Sequence, residues 1–312
     1  MPSDLYIDHR QRLIQVRDRA GIDLPFSKGI MATSILSTGL ETLHAHRIAA
    51  EIERELRQRG VDEIAADDLA ELAAEAIDRD AGDEAAERYR AWRRAKRAGH
   101  PLIVCLAGAP GVGKSTLATR LALRLGINRV VPTDAIREVL RTVIPATVLR
   151  ELHASTFENF SDGGEESRPL ATFMRQAHAV GAATAAVASR MATEGRSVIV
   201  EGVHLLPGEL RDSVQSHKSA PLVIEVLLTL TDAETHRAHL THRLKNEPIR
   251  GGQRHLEHFP IIRRLQDELR RIARKADIDE HDVAYPRDLT QRIVDQVVSQ
   301  VDAGIQHAGQ PA

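Results

Sequence analysis

The 312-residue chain has a single cysteine, Cys105. One thiol excludes an intrachain disulfide framework and a cysteine-rich zinc ribbon, and it fits a reducing compartment. Neither sign of charge is in excess: 42 Lys and Arg stand against 44 Asp and Glu, a formal net charge of −2. Without a global basic field, an anion has to be caught by a local site. Aromatic residues amount to 3%, which argues against a groove that stacks nucleic-acid bases. Long apolar runs are missing as well; the small-residue stretch Ala177–Ala188 is too short and too polar to span a bilayer. Met1-Pro2-Ser3-Asp4 opens no charged segment followed by an apolar one, so no secretory signal is expected. These absences predict a soluble cytoplasmic protein without a nucleic-acid or membrane partner.

Hydrophobic residues at 42% and charged residues at 28% are ordinary for a globular protein, and the length suits two domains of about 150 residues. Composition separates a small, mostly helical domain over 1–90, a charged linker over 91–100, an α/β domain over 101–303 and a polar tail over 304–312. In the first domain, Ala49–Leu56 has helical apolar spacing, and a second helix over Ala65–Ile77 follows the turn Gly60-Val61-Asp62. Six cations fall between Arg88 and Arg97, and this stretch reads as a solvated helix with Tyr89 and Trp92 packed on a neighbouring surface. Beyond it, strands are expected at Leu102–Ala107, Arg129–Pro132, Ser197–Glu201, Pro221–Leu230 and Asp282–Tyr285. Between them lie amphipathic helices such as the one carrying Leu170, Phe173, Met174 and Ala177. Such alternation predicts a mostly parallel five-stranded sheet with helices on both faces.

The chemistry concentrates in Gly108-Ala109-Pro110-Gly111-Val112-Gly113-Lys114-Ser115, a complete phosphate-binding loop pattern between an apolar strand and a helix expected over Thr116–Leu125. The glycines let successive N–H groups turn toward phosphate oxygens, and the helix N-terminus adds partial positive charge. In this pattern Lys114 reaches the β- and γ-phosphates, Ser115 ligates Mg²⁺, and Thr116 completes the cradle for ATP.

Downstream, Asp134 and Glu201 each stand at the end of an expected strand, where ligands bind in parallel sheets. Asp134 can accept a proton from an acceptor hydroxyl or fix metal-bound water, and its position also suits a helix N-cap. Arg137, one turn on, can grip an anionic acceptor bidentately. Glu201 can hold Mg²⁺ through water or orient the nucleophile, or serve as a structural carboxylate. His204 suits packing and substrate contact equally well. His236, His239 and His242 are spread too widely around a helix for one metal ion. Arg237 and Arg243 fit a mobile lid that closes on the transferred group, with Arg250 and Arg254 further along as anion ligands or solvated charges.

Taken in order, four segments resemble the 2-phosphoglycerate kinases, a branch of the P-loop small-molecule kinases. They are the phosphate loop, Thr133-Asp134-Ala135-Ile136-Arg137, Val200-Glu201-Gly202-Val203-His204-Leu205-Leu206-Pro207-Gly208, and Arg254-His255-Leu256-Glu257-His258-Phe259. The resemblance runs from about Leu102 to Pro286. It implies a P-loop kinase fold, ATP and Mg²⁺ as cofactors, and a small anionic substrate, 2-phospho-D-glycerate, converted to 2,3-bisphosphoglycerate. Together with the positions above, this reading gives catalysis to Lys114, Asp134, Glu201 and Arg243, and acceptor binding to Asp134, Arg137, His204 and Arg254. The family often carries an N-terminal ATP-cone-like module, which Leu13–Asp18 and Leu24–Ile30 resemble; Arg17 and Lys28 would be the cations nearest its phosphates. His255 departs from the family's tyrosine. Kinases of other hydroxy acids and a nucleotide-sensing regulator remain as alternatives, and a homo-oligomer stays open.

Overall fold

A computed structural model of the chain describes residues 13–97, 99–153, 168–214, 221–246, 252–284 and 289–308. The chain divides into two compact units, one of residues 1–98 with 124–126 and one of the remainder. In the first, β1 (Gln15–Arg17), β2 (Asp23–Pro25), α1 (Lys28–Ile35), α2 (Thr42–Gln58), β3 (Glu63–Ala65), α3 (Ala66–Ala81) and α4 (Asp83–Arg97) follow in order. β1 pairs antiparallel with β2 and parallel with β3. Ala45, Ile48, Ala49, Ile52 and Leu56 of α2 recur every three or four residues and are buried, as an amphipathic helix requires. They share a core with Ile35, Leu69, Ala73, Ile77 and Tyr89.

The charged stretch expected as a linker continues α4 to Arg97, and Tyr89 and Trp92 are only 1% and 5% exposed. Its cations lie outward against acids of the same unit: Arg88 on Glu84, Arg90 on Glu71 and Glu87, Arg97 on Asp67. Arg17 and Lys28 are also engaged by carboxylates. Arg17 meets Asp23 at 2.9 Å and Glu63 at 2.8 Å, and Lys28 meets Glu53 at 3.1 Å.

The second unit runs β4 (Leu102–Gly108), α5 (Lys114–Leu125), β5 (Val130–Pro132), α6 (Thr133–Val143), α7 (Arg150–His153), α8 (Arg168–Thr193), β6 (Val198–Gly202), α9 (Glu209–Val214), β7 (Leu222–Thr229), α10 (Ala233–Asn246), α11 (Gly252–Glu257), α12 (Phe259–Lys275), β8 (Asp279–Asp282) and α13 (Leu289–Ala308). The five strands form one parallel sheet in the order β5-β6-β4-β7-β8. Ile103, Cys105 and Ala107 of β4 pack with Phe173 and Ala177 of α8 and Leu265 and Leu269 of α12. The alternating residues Leu102, Val104 and Leu106 are equally buried, so both faces of the sheet are covered. Among the described residues no helix is long and apolar enough to cross a membrane.

Two of the differences from the expected boundaries bear on the sheet edge and the phosphate loop. The last strand covers Asp279–Asp282, not Asp282–Tyr285. It lies at the sheet edge and is made of Asp279, Glu280, His281 and Asp282, so apolar patterning points past it to Val283 and beyond; residues 285–288 lie outside the described residues. The helix after the phosphate loop starts at Lys114 rather than Thr116, which puts Lys114 and Ser115 in its first turn.

One contact fixes α6 against β6. A Cβ on Gly202 would lie 1.7 Å from Thr133 Oγ1 and 2.7 Å from Thr133 Cβ, so glycine is required for the approach. Gly202→Ala is therefore expected to destabilise the protein by about 1–3 kcal/mol, because the first turn of α6 must be pushed away. Gly181→Ala, in the interior of α8, would meet only ordinary contacts at 3.7 and 3.9 Å and should stabilise by about 0.5–1 kcal/mol. Urea unfolding midpoints that shift in opposite directions from wild type check both; equal midpoints contradict the packing described.

Candidate active site

The order β5-β6-β4-β7-β8 places the first strand of the sheet, β4, between the third and fourth, so chain connections leave it in opposite directions. A crevice opens at the carboxyl end of such a strand. There Gly108 to Ser115 leave β4 and enter α5. Gly111 has φ of +88° and Gly113 of +83°, the left-handed region that favours glycine. At Gly111 space is short as well: a Cβ would stand 2.6 Å from Leu240 Cδ2 and 3.2 Å from His236 Nε2. Lys114 and Ser115, in the first turn of α5, have backbone N–H groups without intrahelical partners at the positive end of the helix dipole. Lys114 Nζ donates to the Ala109 carbonyl at 2.9 Å, spanning the loop. Burial pulls the Lys114 ammonium below its ordinary pKa, Arg243 adds to this, and Glu201 and Asp134 oppose it.

Parallel pairing sets Glu201 beside Leu106 on one side and Pro132 on the other. Glu201 is 6% exposed, and Ser115 Oγ donates to Glu201 Oε1 at 2.9 Å. Thr133 and Asp134 follow Pro132 directly, so the β5 end brings them to the same edge. Pro132 occupies the N-cap of α6 and Asp134 lies in its first turn, which removes the N-cap reading of Asp134. The Asp134 side chain is 81% exposed and stands 3.7 Å from His204 Nδ1.

His204 is buried at the centre of a small network. Thr133 Oγ1 lies 3.0 Å from its Nδ1, Gln176 Oε1 lies 3.2 Å from its Nε2, and its ring stacks on Phe173 at 6.3 Å. A neutral ring that donates from Nε2 to Gln176 and accepts at Nδ1 from the Thr133 hydroxyl satisfies both hydrogen-bond partners. Burial pushes its pKa down to about 4, with Arg137 and Lys114 adding to the effect and Asp134 opposing it. Arg137 Nε donates to the Leu152 carbonyl at 3.2 Å, tying α6 to α7. Gln176 Nε2 in turn donates to the Glu151 carbonyl.

From the lid segment, Arg243 lies near enough to Lys114 to lower its pKa, whereas Arg237 is exposed and sits over the Phe259 ring at 5.6 Å. Arg250 and the Arg254 side chain lie outside the described residues. Of the three spaced histidines, His239 and His242 are exposed, while His236 is fully buried against the phosphate loop. Sequence patterning did not single out His236, Thr133, Gln176 or Arg263 as parts of the site. Gln176 left a signal: it falls among Phe173, Met174 and Ala177 on the inward stripe of α8, where an amide needs a partner.

An unfolded histidine titrates near 6.5, so between pH 6.5 and 4 the unfolded chain takes up a proton that folded His204 refuses. The stability from neutral His204 is fully present above pH 6.5 and is lost as the pH falls toward 4, about 3 kcal/mol in all. Urea unfolding at a series of pH values should show this loss in wild type and a flatter curve in His204→Gln. Parallel curves contradict the neutral, buried state.

The AAA domain family matches residues 103–260. The 2-phosphoglycerate kinase of Methanopyrus kandleri is 33% identical over 299 residues, 94% of this chain and 88% of that protein. That of Pyrococcus horikoshii is 34% identical over 270 residues, 86% of this chain and 87% of that protein. Among solved structures, shikimate kinase from Acinetobacter baumannii in complex with shikimate covers 66% of this chain and 97% of its own, at 20% identity and a TM-score of 0.39. Sequence identity sustained through both units, together with a complete phosphate loop and an acid at the neighbouring strand end, leads to one conclusion: this chain belongs to the 2-phosphoglycerate kinase family.

Proposed function

We propose that the protein transfers the γ-phosphoryl group of ATP to the free hydroxyl of 2-phospho-D-glycerate, giving 2,3-bisphosphoglycerate and ADP. The observation that carries this reading is the 2.9 Å hydrogen bond between Ser115 and Glu201 at the mouth of the phosphate loop, with Asp134 on the same edge. A hydroxyl and a carboxylate are the hard oxygen donors that suit Mg²⁺, which completes its shell with water and phosphate oxygens. When bound there, the ion supplies charge neutralisation at the β- and γ-phosphates.

The protein's own part is positioning and electrostatics. Loop N–H groups and Lys114 hold the phosphates of ATP. Asp134, exposed at the crevice, receives the proton of the attacking hydroxyl. Arg137 and Arg254 hold the acceptor's anionic groups, and Arg243 stabilises charge on the transferred group. His204 keeps Thr133, and through it the first turn of α6, in register with Asp134. In the first unit, an ATP-cone-like nucleotide site would have to draw Arg17 and Lys28 away from Asp23, Glu63 and Glu53.

The test is a phosphoryl-transfer assay with 2-phosphoglycerate, glycerate, lactate and sugar acids as acceptors. Turnover is expected with 2-phosphoglycerate, and a clear preference for an unphosphorylated acid overturns the acceptor assignment. Lys114→Ala should lower the rate by roughly 10²–10³, since it removes a charge aimed at the reacting phosphates. Asp134→Asn should reduce kcat more than either KM, and Arg137→Ala should raise KM for the acceptor while leaving that for ATP little changed. Equal impairment of both substrates by Arg137→Ala assigns that residue to another role.

A further inference from the structure

His236 is the only one of the three regularly spaced histidines on α10 that is completely buried, and it touches the phosphate loop from outside. Its Nε2 lies 2.7 Å from the Pro110 carbonyl oxygen. On the other side of the ring, Arg263 Nη1 approaches Nδ1 at 3.4 Å. The same guanidinium donates to the Leu230 carbonyl and, at 2.9 Å, to the Thr231 carbonyl, just beyond the end of β7. A guanidinium only donates, so Nδ1 is the acceptor and the ring proton sits on Nε2, pointing at Pro110. Phe259 packs edge-on at 5.5 Å and holds the ring plane. Leu240, one turn further along α10, fills the space over Gly111.

We infer that His236 is a positioning residue for nucleotide binding, fixing the direction of the Pro110–Gly111 peptide in the phosphate loop. In a trans peptide the carbonyl and the following N–H lie in one plane and point in opposite directions. Holding the Pro110 carbonyl outward toward α10 therefore aims the Gly111 N–H the other way, toward the inside of the loop. Were the carbonyl free to rotate, it would present a negative oxygen to the phosphates in place of a donor. The two left-handed glycines give this segment the freedom to turn, and the His236 hydrogen bond removes that freedom. Burial holds the imidazole below its ordinary pKa, the hydrogen bond to Pro110 opposes this, and the Arg263 and Lys114 charges add to it, so the ring stays neutral with one donor and one acceptor. The link also ties the phosphate loop to the helix that bears Arg237 and Arg243.

This inference rests on the kinase reading above. Its test is equilibrium binding of ATP without acceptor, followed by steady-state kinetics. Failure of the wild type to bind ATP overturns the kinase reading itself. With wild-type binding established, His236→Leu should weaken ATP binding about tenfold, the effect of one lost hydrogen bond that leaves a buried carbonyl unpaired. KM for ATP should rise in step while KM for the acceptor stays within about twofold. His236→Gln, which keeps a donor and an acceptor, should restore ATP binding to within about threefold of wild type. Unchanged ATP binding in His236→Leu, a glutamine variant as weak as the leucine one, or a parallel rise in acceptor KM each overturns the inference. Should His236→Leu not fold, Arg263→Leu takes its place: it keeps the ring but removes the group that orients it. Several-fold weaker ATP binding supports the inference and unchanged binding overturns it.

Discussion

The pairing of β4 with β6 sets Leu106 beside Glu201 and Ala107 beside Gly202. Because the two strands are parallel and side by side, the chain leaves both at the same edge. The phosphate loop starts from one, and the acid and the His204 loop start from the other. A shift of one residue in this register would turn Glu201 to the opposite face of the sheet and separate it from Ser115. The strands themselves are held by backbone pairing and by apolar residues on both faces. Precision at the site is thus inherited from the pairing and packing of the sheet.

On that frame, two neutral histidines do similar work on opposite sides of the crevice. His204 lies under the first turn of α6 and holds Thr133, next to Asp134. His236 lies against the phosphate loop and holds Pro110. Each ring is shielded from water and each is flanked by positive groups that favour the uncharged form. An imidazole suits this because it can donate and accept along one axis while remaining neutral, so it adds no charge to a region already holding Lys114, Arg137 and Arg243. A lysine or carboxylate in either place would change the field that phosphates meet.

Much of this could be read from the chain alone. β4, β6 and β7 are near-continuous apolar runs, and the glycines before Lys114 announce the loop. Strand-end acids identify Glu201 and Asp134 by position. Edge strand β8 was misplaced because its four polar residues have no buried face to impose a pattern; what holds it is backbone pairing with β7. The burial of Tyr89 and Trp92 was expected, and their helix, α4, belongs to the first unit. His236 stayed hidden because α10 has little apolar periodicity. Its role arises from a carbonyl 126 residues away, a partner no local pattern can reveal.

The position of Cys105 has a chemical consequence. The thiol sits mid-strand in β4, on the central strand of five, beside Glu225 of β7 and 1% exposed. Burial first, and then the Glu225 charge, push its pKa well above that of a free thiol, so the reactive thiolate is scarcely populated while the sheet is closed. Thiol-directed oxidants and alkylating agents therefore reach it only when β4 is exposed. In a chain with one sulfhydryl, the rate of modification reports opening of the central sheet, and surface fluctuations leave no trace in it.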